Sequence, residues 1–239
     1  MSGNKLKAIA CIAMVVDHVG VLLFPGVAVL RYIGRLSMPI FAYLIAEGCQ
    51  HTRSNGKYFL KMFGLAAFCQ AVYFASDLLS GGIRDIYLNV LFTFSLSILV
   101  CWSYLNLKEA LDQTKRSRVL CAALLFAGAL LLGLFCTEFL DELFGIPTRL
   151  NYGFAGIILP LFAVIFPEKK HQLPLFAVGT VIFCLLLRVR IPYIWFSLLS
   201  IPLIVFYDGT RGTRRLKYAF YLFYPLHFAL LYAIKLIAF

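Results

Sequence analysis

Charged residues are scarce in this sequence. Aspartate, glutamate, lysine and arginine make up 14% of its 239 residues, whereas hydrophobic residues make up 62%. Soluble globular domains carry about 25% charged and about 45–50% apolar residues. A chain with so little charge, and with a mean hydropathy of +0.88, has too few charged residues for the surface of a water-soluble protein. The composition therefore predicts a multi-pass protein of the plasma membrane.

Several features that would indicate other classes are also missing. The seven cysteines are scattered through apolar stretches without a C-x-x-C pair, which argues against a disulfide framework and against a metal site. No small-x-small cleavage site precedes Pro25, so the first apolar stretch is expected to be a retained helix and not a signal peptide. The loops are short and we see no internal repeat, so residues 1–239 form one predicted membrane domain.

The net charge of +11 does not indicate a nucleic-acid partner, because the basic residues lie in short loops between apolar stretches. Juxtamembrane lysine and arginine report topology and contact with anionic lipid. With the N-terminus inside, most basic residues fall on the cytoplasmic side, including Lys115, Arg211, Arg214 and Arg215. We therefore expect a cytoplasmic N-terminus and membrane lipid as a partner.

The apolar stretches have the length of membrane helices. A bilayer core of about 30 Å needs roughly 20 apolar residues in a helix. We predict an all-α fold, a polytopic transmembrane helix bundle of about nine spans, with a range of eight to ten. The predicted spans are 6–24, 34–50, 58–76, 87–106, 118–136, 150–167, 172–188, 190–207 and 217–238.

The first span carries three polar residues: Lys7, Asp17 and His18. Ionisable groups inside a membrane span are candidates for function, because each must be paired or solvated. Eleven residues at about 100° each bring Lys7 and His18 onto one face, about 16 Å apart along the axis. Asp17 lies about 100° away and is expected to face another helix. The alternative for Lys7 is that it only extends its ammonium to the membrane surface.

The second span has charged residues at both ends. Arg31 and Arg35 lie four residues apart at its outer end, and Glu47 and His51 lie four residues apart at its inner end. We expect Arg35 to pair with Asp17, either for function or purely for structure. Pro39 is expected to leave a carbonyl without its helical partner inside this span.

Later spans add further polar residues. Asn89 opens the fourth span, and Asn151 and Tyr152 open the sixth, in the stretch NYGFAG. Their side chains either bridge helices or contact a substrate. In the last span, Tyr224 precedes Pro225, and His227 lies about 15 Å from the inner end, at a depth that His18 also reaches. A lone histidine at this depth alternatively hydrogen-bonds a carbonyl that proline has freed.

These residues together resemble the TraX family of membrane proteins. The matching stretches are, in order, LKAIACIAMVVDH, IGRLSMPIFAYLIAEG, NVLFTF, NYGFAG and FYPLHFALL. They extend from residue 6 to residue 231, and the Asp-His pair followed by G-R-x-x-x-P-x-F-A is their most specific part. The family is also similar to transmembrane acyltransferases of the acyltransferase family 3 type, whose first helix carries a basic residue, ten further residues and a histidine. Lys7 and His18 fit that spacing.

The resemblance implies an acetyltransferase. The family's named activity is acetylation of the N-terminus of conjugative pilin, so acetyl-CoA is the implied donor, from the cytoplasm. The implied acceptor is an amine or hydroxyl at the outer face, such as a protein N-terminus or a glycan. His18 is the expected general base, although an acetyl-histidine intermediate stays open. The expected catalytic residues are His18, Asp17, His227 and Arg35, and the expected cofactor-binding residues are Lys7, Arg53, Lys57, Asn89, Tyr152 and Tyr224.

Two other functions fit the same residues. The ionisable groups inside the spans are compatible with a proton-coupled transporter or exporter. A non-catalytic membrane protein that helps to assemble a larger complex is the other alternative. The lack of repeats argues against the transporter, and the two deep histidines argue against a purely structural role.

Overall fold

The computed structural model describes residues 1–79, 85–113, 116–210, 212 and 216–238, and most of them are helical. The elements, in chain order, are α1 (Gly3–Leu22), α2 (Ala28–Gly34), α3 (Ser37–His51), α4 (Asn55–Leu79), β1 (Ile86–Leu88), α5 (Val90–Asp112), α6 (Arg116–Glu138), α7 (Leu140–Phe144), β2 (Thr148–Leu150), α8 (Gly153–Ile158), α9 (Leu161–Val164), α10 (Lys169–Leu186), α11 (Ile191–Leu198), α12 (Ser200–Val205) and α13 (Leu216–Ala238).

Four helices in the described part of the chain are long and apolar enough to cross a membrane, by length and composition. They cover Ala28–His51, Asn55–Ala75, Val90–Asp112 and Arg116–Glu138. Shorter apolar helices cover Gly153–Val164, Ile191–Val205 and Leu222–Lys235. The chain is thus a helical membrane protein, while the count of about nine spans and the cytoplasmic N-terminus stay predictions. Lys115, Arg211, Arg214 and Arg215, used for the orientation, lie outside the described residues.

Two predicted spans are not single helices. The span predicted over 150–167 begins as β2 and continues as α8 and α9, with Pro160 between the two helices. The span predicted over 190–207 is divided into α11 and α12, and Pro202 follows the break. Proline has no N–H and its ring meets the carbonyl four residues earlier, so a continuous helix is disfavoured at both places.

The all-α prediction is confirmed for the fold class, and one small feature of the structure is not helical. Strands β1 and β2 form a two-stranded parallel sheet in which Ile86 pairs with Thr148 and Leu88 with Leu150. The predicted span 87–106 therefore starts as a strand, and its helix begins at Val90. The backbone N–H of Asn151 donates to the carbonyl of Leu88 at 3.1 Å, which extends the pairing to the turn before α8.

The described chain forms two compact units. The terminal unit combines Met1–Leu44 with Leu173–Phe239, and the central unit is Ile45–Gln172. In the terminal unit, α1 packs against α2 and α13. In the central unit, α5 packs against α4, α6 and α8. The boundaries fall within α3 and α10, so two helices contribute to both units.

Asn89 joins two helices of the central unit. Its side-chain oxygen accepts from the N–H of Leu91 at 3.1 Å, which caps the N-terminus of α5. Its side-chain nitrogen donates to the carbonyl of Ala66 and to Oε1 of Gln70 on α4, both at 3.0 Å. Asn89 is buried, so these bonds satisfy a group that water does not reach. Of the two alternatives for Asn89, its contacts favour the one in which it bridges helices.

Pro39 lies in the first turn of α3, not in the middle of a helix. The backbone turns between Gly34 and Ser37, where the N–H groups of Arg35 and Leu36 bond three residues back. The hydroxyl of Ser37 donates to the carbonyl of Gly34 at 2.9 Å. A first turn does not need the N–H that proline lacks. That Pro39 leaves a carbonyl without its helical partner inside the span Ala28–His51 stays a prediction.

The bridging role of Asn89 predicts a large loss of stability in Asn89→Ala. The substitution removes the cap of α5 and leaves buried groups on α4 without their partner, so the free energy of unfolding should fall by about 2–4 kcal/mol. Thermal unfolding in detergent measures the change. Asn106→Ala is the matched control, because Asn106 is exposed on the same helix. Equal stability of the two variants would contradict the bridging role.

Candidate functional site

The first helix presents its polar residues to two different neighbours. His18 contacts His227 and Phe228 of α13, and the Lys7 ammonium lies 5.9 Å from the ring centre of Phe220, also on α13. Asp17 instead contacts Arg31 of α2 and Arg35 directly after it. The predicted shared face of Lys7 and His18 is therefore the face that packs against α13. The expectation that Asp17 faces another helix is also confirmed.

The two deep histidines form a hydrogen-bonded pair. Nδ1 of His18 lies 2.9 Å from Nε2 of His227, and the two rings are stacked with centres 5.1 Å apart. Phe223 stacks on the His227 ring at 5.0 Å, and Phe228 meets the His18 ring edge-on at 5.0 Å. Tyr224 contacts the His227 ring at 5.6 Å. Aromatic side chains thus hold both imidazoles in position.

The hydrogen-bond partners assign a proton to each ring of a neutral pair. Nδ1 of His227 lies 2.9 Å from the carbonyl oxygen of Phe223, which only accepts, so this nitrogen carries the proton. Nε2 of His227 is then the acceptor, and Nδ1 of His18 must donate to it. Consequently Nε2 of His18 bears an unshared electron pair. Among the described residues, no hydrogen bond is made to that nitrogen.

The two imidazoles differ in exposure. His227 is buried, with 6% of its surface exposed, whereas His18 is only partly buried. A proton acceptor must be reachable by the group that gives up the proton. His18 is therefore the imidazole that a group outside the pair can reach, whereas His227 is enclosed. The carbonyl that His227 contacts is that of Phe223, whereas Pro225 removes the helical hydrogen bond to the carbonyl of residue 221, so the alternative of a carbonyl freed by proline stays a prediction.

Asp17 is held by two arginines. Nη1 of Arg31 donates to Oδ2 of Asp17 at 2.7 Å, and Nη2 of Arg35 donates to Oδ1 at 3.0 Å. The predicted pair of Arg35 and Asp17 is thus present. Arg35 also donates from Nε to the carbonyl of Arg31 and lies over the ring of Tyr193 at 5.3 Å. Arg31 was not expected here, although its spacing of four residues from Arg35 puts both on one helix face.

Close packing of the backbone makes the Asp17 contacts possible. A Cβ atom added at Gly34 would overlap the carboxyl group of Asp17. Only glycine lets α2 approach α1 so closely that both guanidinium groups reach the same carboxylate. The sequence signal for this requirement is the glycine directly before Arg35.

The remaining predicted residues divide between the two units. Tyr224 and Lys7 belong to the terminal unit with the histidine pair. Arg53 lies in the turn between α3 and α4, Lys57 lies in the first turn of α4, and both are exposed in the central unit. Tyr152 precedes α8 with a left-handed backbone at φ 62°, a conformation that costs about 1–2 kcal/mol outside glycine. Asn89 is the helix cap described above.

Among the described residues, no group of three or more His, Cys, Asp or Glu side chains is placed to hold a metal ion. The seven cysteines have free thiols. Near the end of α3, Nδ1 of His51 lies 3.8 Å from Oε2 of Glu47, in agreement with their spacing of four residues. The concentration of polar contacts around Asp17 and His18 makes this part of the terminal unit the candidate site.

Comparison with known proteins adds a family. The family model described as TraX protein matches residues 2–235. The chain is 29% identical over 257 residues to a probable fimbrial assembly protein, FimC of serogroup H1, from Dichelobacter nodosus, with 98% of this chain and 96% of that protein covered. A stretch of 40 residues is 47% identical to an uncharacterized protein of Rickettsia prowazekii (strain Madrid E), covering 17% of this chain and 16% of that protein. No solved structure matches significantly.

The contact between Gly34 and Asp17 predicts that Gly34→Ala destabilises the protein. The added methyl group must displace the carboxylate from the two arginines, and overpacking of this kind costs about 1–3 kcal/mol. Gly26→Ala is the control, because a Cβ at Gly26 meets no atom within 4 Å. Thermal unfolding of both variants should show a lower midpoint for Gly34→Ala alone. If both variants unfold like the wild type, the close approach of α1 and α2 is not required.

Proposed function

The chain belongs to the TraX family, and on this premise we propose that it is a membrane-embedded acetyltransferase. It moves an acetyl group from cytoplasmic acetyl-CoA to an amine or hydroxyl acceptor at the outer face of the plasma membrane. The observation that carries the proposal is the hydrogen-bonded chain from Phe223 through His227 to His18. This chain leaves Nε2 of His18 unprotonated, which is the state that a general base needs.

During the proposed transfer, His18 takes one proton from the acceptor and then gives it to the leaving thiolate. As the acceptor amine or hydroxyl attacks the thioester carbonyl carbon, Nε2 of His18 takes its proton. The new C–N or C–O bond forms, the C–S bond breaks, and His18 returns the proton to the departing thiolate. His227 accepts a hydrogen bond from Nδ1 of His18 throughout and thereby stabilises the imidazolium that forms. No net proton remains on the protein after one turnover.

Basic side chains have two roles in this proposal: one binds the oxyanion, and the others bind the phosphates of the donor. Arg35 is the proposed partner of the oxyanion, because it belongs to the same unit as His18, whereas Asn89 is occupied in capping α5. Lys7, on the face of α1 that also carries His18, is proposed to hold a phosphate of the donor. Arg53 and Lys57 are exposed cations suited to the same donor, from the central unit.

The acceptor is proposed from the relative that covers nearly the whole chain. That protein is named as a probable fimbrial assembly protein. A fimbrial or pilin-like subunit offers an N-terminal amine, which an acetyltransferase of the proposed kind modifies. A surface glycan hydroxyl is the alternative acceptor. Mass spectrometry of outer-surface proteins and glycans, from cells with and without this protein, tests for a difference equal to one acetyl group.

A non-catalytic assembly function is the second candidate, because the name of the same relative refers to assembly and not to chemistry. In that case the protein holds fimbrial subunits during assembly without modifying them. Acetyl-CoA would then leave its thermal stability unchanged, and subunits would be unmodified but unassembled in its absence. A rise in the unfolding midpoint with acetyl-CoA favours the enzyme.

Removal of His18 should abolish most of the acetyl transfer. General-base catalysis contributes about 10²–10⁴-fold, so His18→Ala should lower kcat by that factor. His227→Ala keeps the base but loses its orienting acceptor, and we expect a smaller reduction. His171→Gln is the control, since His171 is an exposed histidine at the start of α10. Full activity of His18→Ala would show that His18 is not the base.

Lys7 should contribute to donor binding. Lys7→Ala removes one proposed charge-assisted contact to a phosphate, and we expect about 10- to 100-fold weaker binding of CoA. Isothermal titration of the protein in detergent measures this affinity. Lys5→Ala is a matched control, because Lys5 is an exposed lysine in the first turn of the same helix. Equal affinities of the two variants would remove Lys7 from the donor site.

A further inference from the structure

The cluster around Asp17 carries more positive than negative charge. Two guanidinium groups, those of Arg31 and Arg35, bind the single carboxylate of Asp17. One positive charge is therefore left over in a partly buried position. Charges removed from water require an opposite charge or strong hydrogen bonding, since isolated ions are poorly solvated there.

The terminal unit has no further side-chain carboxylate to balance this charge. Its sequence, residues 1–44 and 173–239, contains only two acidic side chains, Asp17 and Asp208. Asp208 accepts from the hydroxyl and the N–H of Thr210, at 2.6 and 2.9 Å, and lies 3.1 Å from the ammonium of Met1. Asp208 is thus already engaged in a different contact. The second arginine of the cluster needs an anion from outside this unit.

Arg31 is the arginine that can receive such an anion. Arg35 is more enclosed: its side chain is 16% exposed, it makes a second hydrogen bond to the carbonyl of Arg31, and it lies over Tyr193. The side chain of Arg31 is 32% exposed. A guanidinium has five N–H donors in a planar fork. Among the described residues, Arg31 hydrogen-bonds through its side chain to Asp17 alone.

The position of Arg31 indicates which anion is available. Arg31 lies in the first turn of α2, at the start of the apolar segment Ala28–His51, which is long enough to cross a membrane. The residues just before it expose large apolar side chains, including Phe24 and Val29. Helix ends of this kind lie at the level of lipid headgroups, where phosphate is the abundant anion. A guanidinium binds phosphate through two parallel N–H···O bonds.

We propose that Arg31 forms a binding site for a phosphate group beside Asp17 and His18. The phosphate belongs either to an anionic membrane lipid or to a soluble phosphate compound, and the binding chemistry is the same for both. The bound phosphate neutralises the second guanidinium while Asp17 neutralises the first. This site is separate from the proposed donor contact at Lys7, because Lys7 lies ten residues before Asp17 on α1, about 15 Å along the helix axis. Its existence does not depend on acetyl transfer.

Two binding measurements on the full-length protein distinguish the sources. In the first, inorganic phosphate is titrated into protein in a neutral detergent, and the unfolding midpoint is followed. In the second, native mass spectrometry counts phosphatidylglycerol retained from nanodiscs that contain phosphatidylcholine with or without phosphatidylglycerol. A response only to phosphatidylglycerol identifies a lipid headgroup, and a response to inorganic phosphate identifies a site open to soluble phosphate. Either response supports the site, provided that it depends on Arg31.

Variants of Arg31 decide the proposal. Arg31→Gln should bind the responding phosphate probe about 10- to 100-fold more weakly. Arg31→Lys keeps the charge opposite Asp17 but loses the planar fork, so its affinity should fall by about tenfold. Arg190→Gln is the control, because Arg190 is exposed in the same unit and should bind like the wild type.

Three results overturn the site: no response to either probe in the wild type, wild-type affinity in Arg31→Gln, or equal losses in Arg190→Gln and Arg31→Gln. If Arg31→Gln does not fold, Arg31→Lys decides, and unchanged affinity there rejects the proposal. Acetyl transfer is not measured in this experiment, so its outcome is independent of the proposed function. A protein without acetyltransferase activity can still bind phosphate at Arg31, and the reverse also holds.

Discussion

The need to satisfy polar groups inside apolar helices is the constraint on which this structure depends. Away from water, an unpaired donor or acceptor is costly, so each must find a partner within the protein. The hydroxyls of Ser95, Ser97 and Thr180 donate to carbonyls four residues earlier in their own helices. Asn89 and Gln172 instead bond carbonyls of other helices, at Ala66 and Ala163. Polar side chains thereby fix how the apolar surfaces of the helices fit together.

The same constraint explains why Asp17 and His18 are adjacent without acting together. Neighbouring helical residues point about 100° apart, so one short sequence serves two packing partners. Asp17 joins α1 to α2 through arginine, and His18 joins α1 to α13 through His227. The ion pairs hold the helix in place while leaving the imidazole in an aromatic setting. Structural and proposed chemical roles are thus separated by helix geometry and not by distance along the chain.

Local patterns predicted the parts of the molecule that depend on one helix at a time. Long apolar runs located α4, α5 and α6, and residue spacing placed Lys7 with His18. Features that need two distant segments were predicted only in part. The pair of Asp17 with Arg35 was predicted, and bridging of helices was one of the two alternatives for Asn89. The pairing of β1 with β2 and the second arginine on Asp17 were not predicted, because both depend on which segments become neighbours. The helix breaks between α8 and α9 and between α11 and α12 have a local cause in Pro160 and Pro202. The predicted spans 150–167 and 190–207 did not include these breaks.

The hydrogen bond between His18 and His227 joins residues 209 positions apart in the chain. A ribosome adds roughly 5–20 residues per second, so His18 is made some 10–40 seconds before its partner. During that interval the imidazole of His18 has no partner that fixes its tautomer. The pair can form only when the last helix has been synthesised and has packed against the first. The histidine pair therefore exists only after nearly the whole chain has been synthesised. A nascent chain released before residue 227 contains His18 without its partner.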